Sequence, residues 1–119
     1  MTAPNLKSPT TITGKTARYA VTASLANALA NSAASGKVFK INSIFCANVD
    51  GTNQADISVS IYDGTTDYYL AKTLTVPADA TQIISSKDTY FYLEEADSIR
   101  AAASVADDLQ LVIGYEVIE

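Results

Sequence analysis

A chain of 119 residues is the size of one ordinary domain, long enough to bury roughly two thirds of its unfolded surface around one core without disulfides or metal. Apolar residues make up 48% and charged residues 18%, a globular composition, and the net charge of −5 argues against nucleic acid and anionic membrane surfaces, both of which call for clustered Lys and Arg. The single cysteine, Cys46, excludes an intrachain disulfide and reads as a buried thiol acting as a small apolar residue, and the absence of histidine removes the commonest general base and metal ligand.

Residues 1–13, with Pro4 and Pro9, read as an extended N-terminal arm, because proline lacks the N–H of a central strand and holds its predecessor extended. Pro4, Leu6 and Pro9 are the arm's candidate contacts to a partner. The start, "MTAPNLKSPTT", has no apolar core of a secretory signal, and no apolar run is long enough to span a membrane. An intracellular origin, or assembly into a particle that later leaves the cell, fits best.

Residues 14–119 read as a single domain, with no linker, repeat or charge run to divide it. "TASLANALANSAASG" fits a helix, with Val21, Leu25, Ala28 and Ser32 at helical spacing. It also fits a strand, with Val21, Ala23, Leu25 and Leu29 alternating. The β-patterned surroundings favour the strand. In "KVFKINSIFCANV", Phe39, Ile41, Ser43, Phe45, Ala47 and Val49 share one face, and the other face is mixed. "DISVSIYD" points Ile57, Val59 and Ile61 inward and Ser58, Ser60 and Tyr62 outward. "LAKTLTV" aligns Leu70, Leu74 and Val76, and "LQLVIGYEV" aligns Leu109, Leu111, Ile113, Tyr115 and Val117. Turn formers separate these runs, so the pattern is that of an all-β sandwich or barrel.

Two Asp-Gly pairs, Asp50-Gly51 and Asp63-Gly64, stand between alternating apolar runs. Each predicts a hairpin corner, because glycine adopts positive φ at little cost and aspartate tolerates it. The nearby carboxylates do not make an EF-hand: counted from Asp50, glycine is second and the twelfth residue is Ile61. Glu94-Glu95 and Asp107-Asp108 are adjacent in sequence, which in a strand places them on opposite faces and makes no acid/base pair. No nucleophile elbow, phosphate-binding loop or dinucleotide fingerprint is present. The seven tyrosines are the remaining chemical signal. Tyr62, Tyr68 and Tyr69 flank the second corner and are candidate interface residues, since tyrosine joins an apolar body to a polar tip.

The segments "GKVFKI", "ANVDGT", "YDGTTD", "VPADAT" and "LEEADSIRA", in that order from about Gly14 to the C-terminus, resemble small virion structural proteins of tailed bacteriophages, those of cyanobacterial and other marine phages above all. The sequence departs from that pattern at Ala96, where glycine is expected, so positive φ is not implied at that corner. The resemblance implies an antiparallel β-sandwich, jelly-roll-like, with no enzymatic activity and no cofactor. It implies a capsid decoration or cement protein in the virion, assembled in the host cytoplasm. Its expected partner is the major capsid protein or another virion protein, and its expected state is a homo-oligomer, a trimer. The alternatives are a neck, tail or fibre-attachment component, and a carbohydrate-binding module built on Tyr62, Tyr68 and Tyr69.

Overall fold

A computed structural model describes residues 4–119; residues 1–3 of the expected arm lie outside that range. Among the described residues nine strands form two antiparallel sheets: β1 (Ile12–Ala20), β2 (Ala26–Ala30), β3 (Val38–Asn48), β4 (Ala55–Tyr62), β5 (Asp67–Val76), β6 (Thr81–Ser85), β7 (Phe91–Leu93), β8 (Ser98–Ala103) and β9 (Leu109–Ile118). The first sheet has the order β1-β9-β3-β6, with β7 also on β3; the second has the order β2-β8-β4-β5. The chain changes sheet at most connections, and only β4–β5 and β6–β7 stay within one. This strand order is a jelly roll. β6 and β7 follow one another along the same edge of β3, with a 3₁₀ turn (Lys87–Thr89) between them.

β1 takes in Ile12 and Thr13, so the segment ahead of the sheet ends at Thr11. Thr10 and Thr11 donate to the Glu119 carbonyl at 2.6 and 3.1 Å, and Glu119 donates to the Thr11 carbonyl at 3.0 Å, which ties that segment to the C-terminus. Residues 20–35 contain β2 and no helix; alanine's helix propensity yields here to pairing with β8.

The core lies between the inner faces. Ile57 and Val59 of β4, Ile99 and Ala101 of β8, and Leu109, Leu111 and Ile113 of β9 are fully buried or nearly so, as is Cys46. Each fully buried aliphatic side chain contributes about 1.5–3 kcal/mol through the area it removes from water. Burial pushes the Cys46 thiol up to about 11, so it is a packing group rather than a nucleophile.

Three features depart from a simple alternation. In β3 the register against β9 slips between Ile41 and Ser43. Phe39 and Ile41 point inward before the slip, and Ile44, Cys46 and Asn48 after it. One extra residue, Asn42, exchanges the faces, and this moves Ser43, Phe45 and Ala47 to the outside, contrary to the sequence expectation. Gly114 sits at the same level because a side chain there would meet the Ser43 hydroxyl at 3.0 Å. In β5, two register shifts against β4 expel Leu70 from the inward set, leaving Tyr68, Ala71, Leu74 and Val76. The first Asp-Gly pair is not a hairpin corner, because β3 and β4 belong to different sheets. The second is one, joining β4 to β5.

The corner at Glu94–Asp97 closes through Asp97 N–H donating to the Glu94 carbonyl at 3.1 Å, with Ala96 at φ 72°. Positive φ at the third position makes it a type II turn, which favours glycine. Ala96 holds this conformation against its own Cβ, at a cost of about 1 kcal/mol. Ala96→Gly is therefore expected to raise stability by about 1 kcal/mol in urea denaturation.

Candidate interaction surfaces

On the outer face of the four-stranded sheet, register places Asn27, Arg100, Ser60 and Tyr69 in one row and Ser98, Tyr62 and Asp67 in the next. Arg100 lies 3.5 Å from Asp67 and 4.2 Å from the centre of the Tyr62 ring. Ser60 is fully buried although it points outward; its hydroxyl donates to Asp67 at 2.8 Å. The Tyr62 hydroxyl donates to the Gly64 carbonyl at 3.0 Å, and Lys72 sits 4.2 Å from the centre of the Tyr69 ring. Tyr62 and Tyr69 thus share a surface, but a cation already covers a face of each ring, where a sugar would stack. Tyr68 points to the other face of β5, opposite Ile61, and is 61% exposed. The three tyrosines do not form one platform.

In the N-terminal segment, Leu6 is exposed and Pro4 and Pro9 are half-buried. Ser8 N–H donates to the Asn5 carbonyl at 3.1 Å, so residues 5–8 form a turn rather than a fully extended strand.

The carboxylates at both Asp-Gly corners serve the backbone. Asp50 accepts from Thr52 and Asn53 N–H at 2.8 and 3.2 Å, and Asp63 from Thr66 and Thr65 N–H at 2.7 and 2.9 Å. These backbone donors hold both carboxyls below the usual aspartate value. The β3–β4, β5–β6 and β8–β9 loops meet at one end of the sandwich: Asp79 N–H donates to the Asp50 carbonyl and Val49 N–H to the Asp108 carbonyl. Among the described residues, no group of three or more His, Cys, Asp or Glu is placed to hold a metal. Desolvation first, and then the Asp50 charge, raises the Asp108 carboxyl. A raised folded value means a contribution that is present below the ordinary aspartate value and lost as pH rises through the raised one. Asp108→Asn is therefore expected to melt higher than the parent at neutral pH, with the gap closing below the usual carboxylate range.

Sequence reasoning missed the outer face of the five-stranded sheet. Arg18, Val112, Phe45 and Ile83 form one row across it, and Ile83 is 68% exposed. Further along, Lys40 lies 4.6 Å from the centre of the Tyr90 ring, which meets Tyr92 edge-to-face at 5.9 Å. An open depression of about 310 Å³ is lined by Arg18, Tyr19 and Ala20 of β1 and their β9 partners Gln110, Leu111 and Val112. The β3 bulge hid Phe45. The adjacent isoleucines of "TQIIS" did signal an exposed apolar residue, since neighbours in a strand cannot both face the core.

No protein-family model matches the chain, and no curated protein matches it. Among solved structures, the chain is similar to the crystal structure of a pentameric capsid protein isolated from metagenomic phage sequences, at 15% identity and a TM-score of 0.42. The match covers 85% of this chain and 59% of that one, so this chain spans less than two thirds of that protein's length. A likeness of that degree bears on neither function nor assembly. No helix among the described residues is long and apolar enough to cross a membrane.

Proposed function

We propose that this chain is a non-enzymatic structural component of a tailed-phage particle: a capsid decoration or cement protein, docked as a homotrimer on the major capsid protein and stabilising the shell. The outer face of the five-stranded sheet is the observation that carries this reading. It is a sheet surface on a filled sandwich, with Phe45, Val112 and Ile83 in one row, Tyr90 and Tyr92 near one end, and Arg18, Lys40 and Glu116 as its charged groups. Such a face loses little on desolvation and offers aromatic anchors to a partner. The sequence resemblance supplies the phage context, and a rigid module with one adhesive face meets the physical needs of a decoration protein. Pro4, Leu6 and Pro9, with Tyr62, Tyr68 and Tyr69, are secondary contact candidates.

Quantitative mass spectrometry of purified particles tests the reading. A copy number comparable to that of the major capsid protein is expected. Far fewer copies would assign the chain to the neck, tail or fibre attachment instead. Absence from the particle would overturn the virion role itself.

A further inference from the structure

A jelly roll exposes the edge strands of both its sheets, and an unprotected edge is a template for another strand. The edges of the four-stranded sheet are blunted. β2 is five residues long and slips register between Asn27 and Leu29. β5 has two register shifts, with the Ser58 hydroxyl accepting from Thr73 N–H at one of them. The β6–β7 edge is divided by the 3₁₀ turn into two short stretches, but no described strand covers its outer side. β1 has no slip or break and is guarded by charge alone, Lys15 in the inner-face row of Tyr115 and Arg18 in the outer-face row of Val112. Its nine residues run in unbroken register with β9, it contains no proline, and it is exposed over most of its length. Among the described residues no strand pairs with its outer edge.

Charge says what suits that edge. The first 49 residues hold Lys7, Lys15, Arg18, Lys37 and Lys40 and no acid, whereas all 13 acids come later. β1 itself carries Lys15 and Arg18 with no acid, so two β1 edges meeting each other would bring like charges together. The far edge of the same sheet differs. Along β6 and β7 it presents the exposed side chains of Ile83, Tyr90 and Tyr92, with Asp88 and Lys87 on the turn and Glu94 and Glu95 after β7. Cross-sheet rows set the heights: Lys15 is level with Phe91, and Arg18 with Ile83. The turn carrying Asp88 falls between those two rows. Because strands alternate in direction across the sheet, β1 of a copy standing in the same orientation runs antiparallel to β6 and β7 of its neighbour.

We infer that copies of this chain associate side by side through these unlike edges, β1 of one against β6 and β7 of the next, with Lys15 and Arg18 of the first flanking, from opposite faces of the sheet, the turn that carries Asp88 of the second. The contact is heterologous, so each copy keeps a free edge for another, and closure yields a ring. It deepens the homo-oligomer of the proposed function, yet concerns the purified protein and stands or falls without the particle.

Light scattering of the purified chain is expected to give a mass above the monomer. Lys15→Glu with Arg18→Glu, and separately Asp88→Lys with Glu94→Lys, are each expected to give monomers that melt as the parent does at dilutions where the parent too is monomeric. Mixing the two variants restores unlike charges at every contact and is expected to restore the larger mass. A chain carrying Thr16→Cys and Asp88→Cys should form a covalent ladder beyond the dimer on oxidation, since the buried Cys46 does not compete. The inference is overturned if the parent chain is monomeric at its highest soluble concentration, if the reversed variants keep the parent mass, or if Thr16→Cys alone gives covalent dimers while the cysteine pair gives no ladder. A ring in solution whose chain is missing from particles would sink the proposed function and leave this contact standing.

Discussion

Alanine in place of Ile113 is expected to destabilise the fold by about 4 kcal/mol, toward the upper end for an aliphatic-to-alanine change in a core. Ile113 is fully buried in β9, the second strand of the five-stranded sheet, directly between Ala17 of β1 and Ile44 of β3. Paired strands on both sides keep the backbone from collapsing into the space, so the lost transfer energy is joined by the cost of a cavity. A domain of this size has only about 5–15 kcal/mol to lose. The melting midpoint should fall by roughly 12–20 °C. Ile83→Ala is the matched control. The residue type is the same and the strand belongs to the same sheet, but Ile83 is 68% exposed, and its change should stay within about 0.5 kcal/mol in a dilute monomer. Urea denaturation of the pair measures burial with chemistry held constant. Equal losses would mean that the inward and outward faces of this sheet are misassigned.

The same distinction between faces decides how much of the fold could be read from the sequence. β4 and β9 alternate strictly because each has one face on the core for its whole length, and their inward residues are where the pattern places them. The second Asp-Gly corner is legible for the same reason: its turn chemistry is local, complete within Asp63–Thr66. The first is not. Asp50 caps its loop by the same bonds, yet the strands it joins part into different sheets, and no local signal separates a hairpin from a crossover. The start of β1 reads as arm because its first half projects into solvent on both faces and lacks apolar alternation. In β3 the bulge left its trace as a face that looked mixed: Phe39 and Ile41 keep one phase, Ile44 and Cys46 the other. Of the candidate interface residues, Tyr62 and Tyr69 lie on the strands that flank the second corner. The cation over Tyr62 is not foreseeable, because Arg100 arrives from a strand far along the chain, whereas Lys72 over Tyr69 belongs to the same strand.

Two buried asparagines at opposite ends of β3 join loops that no sequence pattern connects, and removing either side chain is expected to cost about 3 kcal/mol. Asn31 donates through Nδ2 to the Lys37 and Leu93 carbonyls at 2.9 and 3.1 Å and accepts from the Ser35 hydroxyl at 2.7 Å. Its own backbone bonds Asp97 and Ala96, so the β2–β3 and β7–β8 connections close on one residue. Asn48 does the same at the other end. Its Nδ2 donates to the Asn53 and Val76 carbonyls, both at 3.0 Å, and its Oδ1 accepts from Asp50 N–H at 2.9 Å. Asn31→Ala strands the Leu93 carbonyl and Asn48→Ala the Val76 carbonyl, and a buried acceptor without its donor loses far more than a made bond gains. The aspartate variants sharpen the test. Asp keeps the acceptor but turns the donor into a second acceptor facing those same carbonyls, so at neutral pH the loss should be at least as large as for alanine and should shrink on acidification as the carboxyl regains a proton. Since the two sites share no partner, the double alanine variant should lose the sum of the single losses to within about 0.5 kcal/mol. A clearly smaller combined loss would mean that one asparagine, not both, fixes the ends of the sandwich.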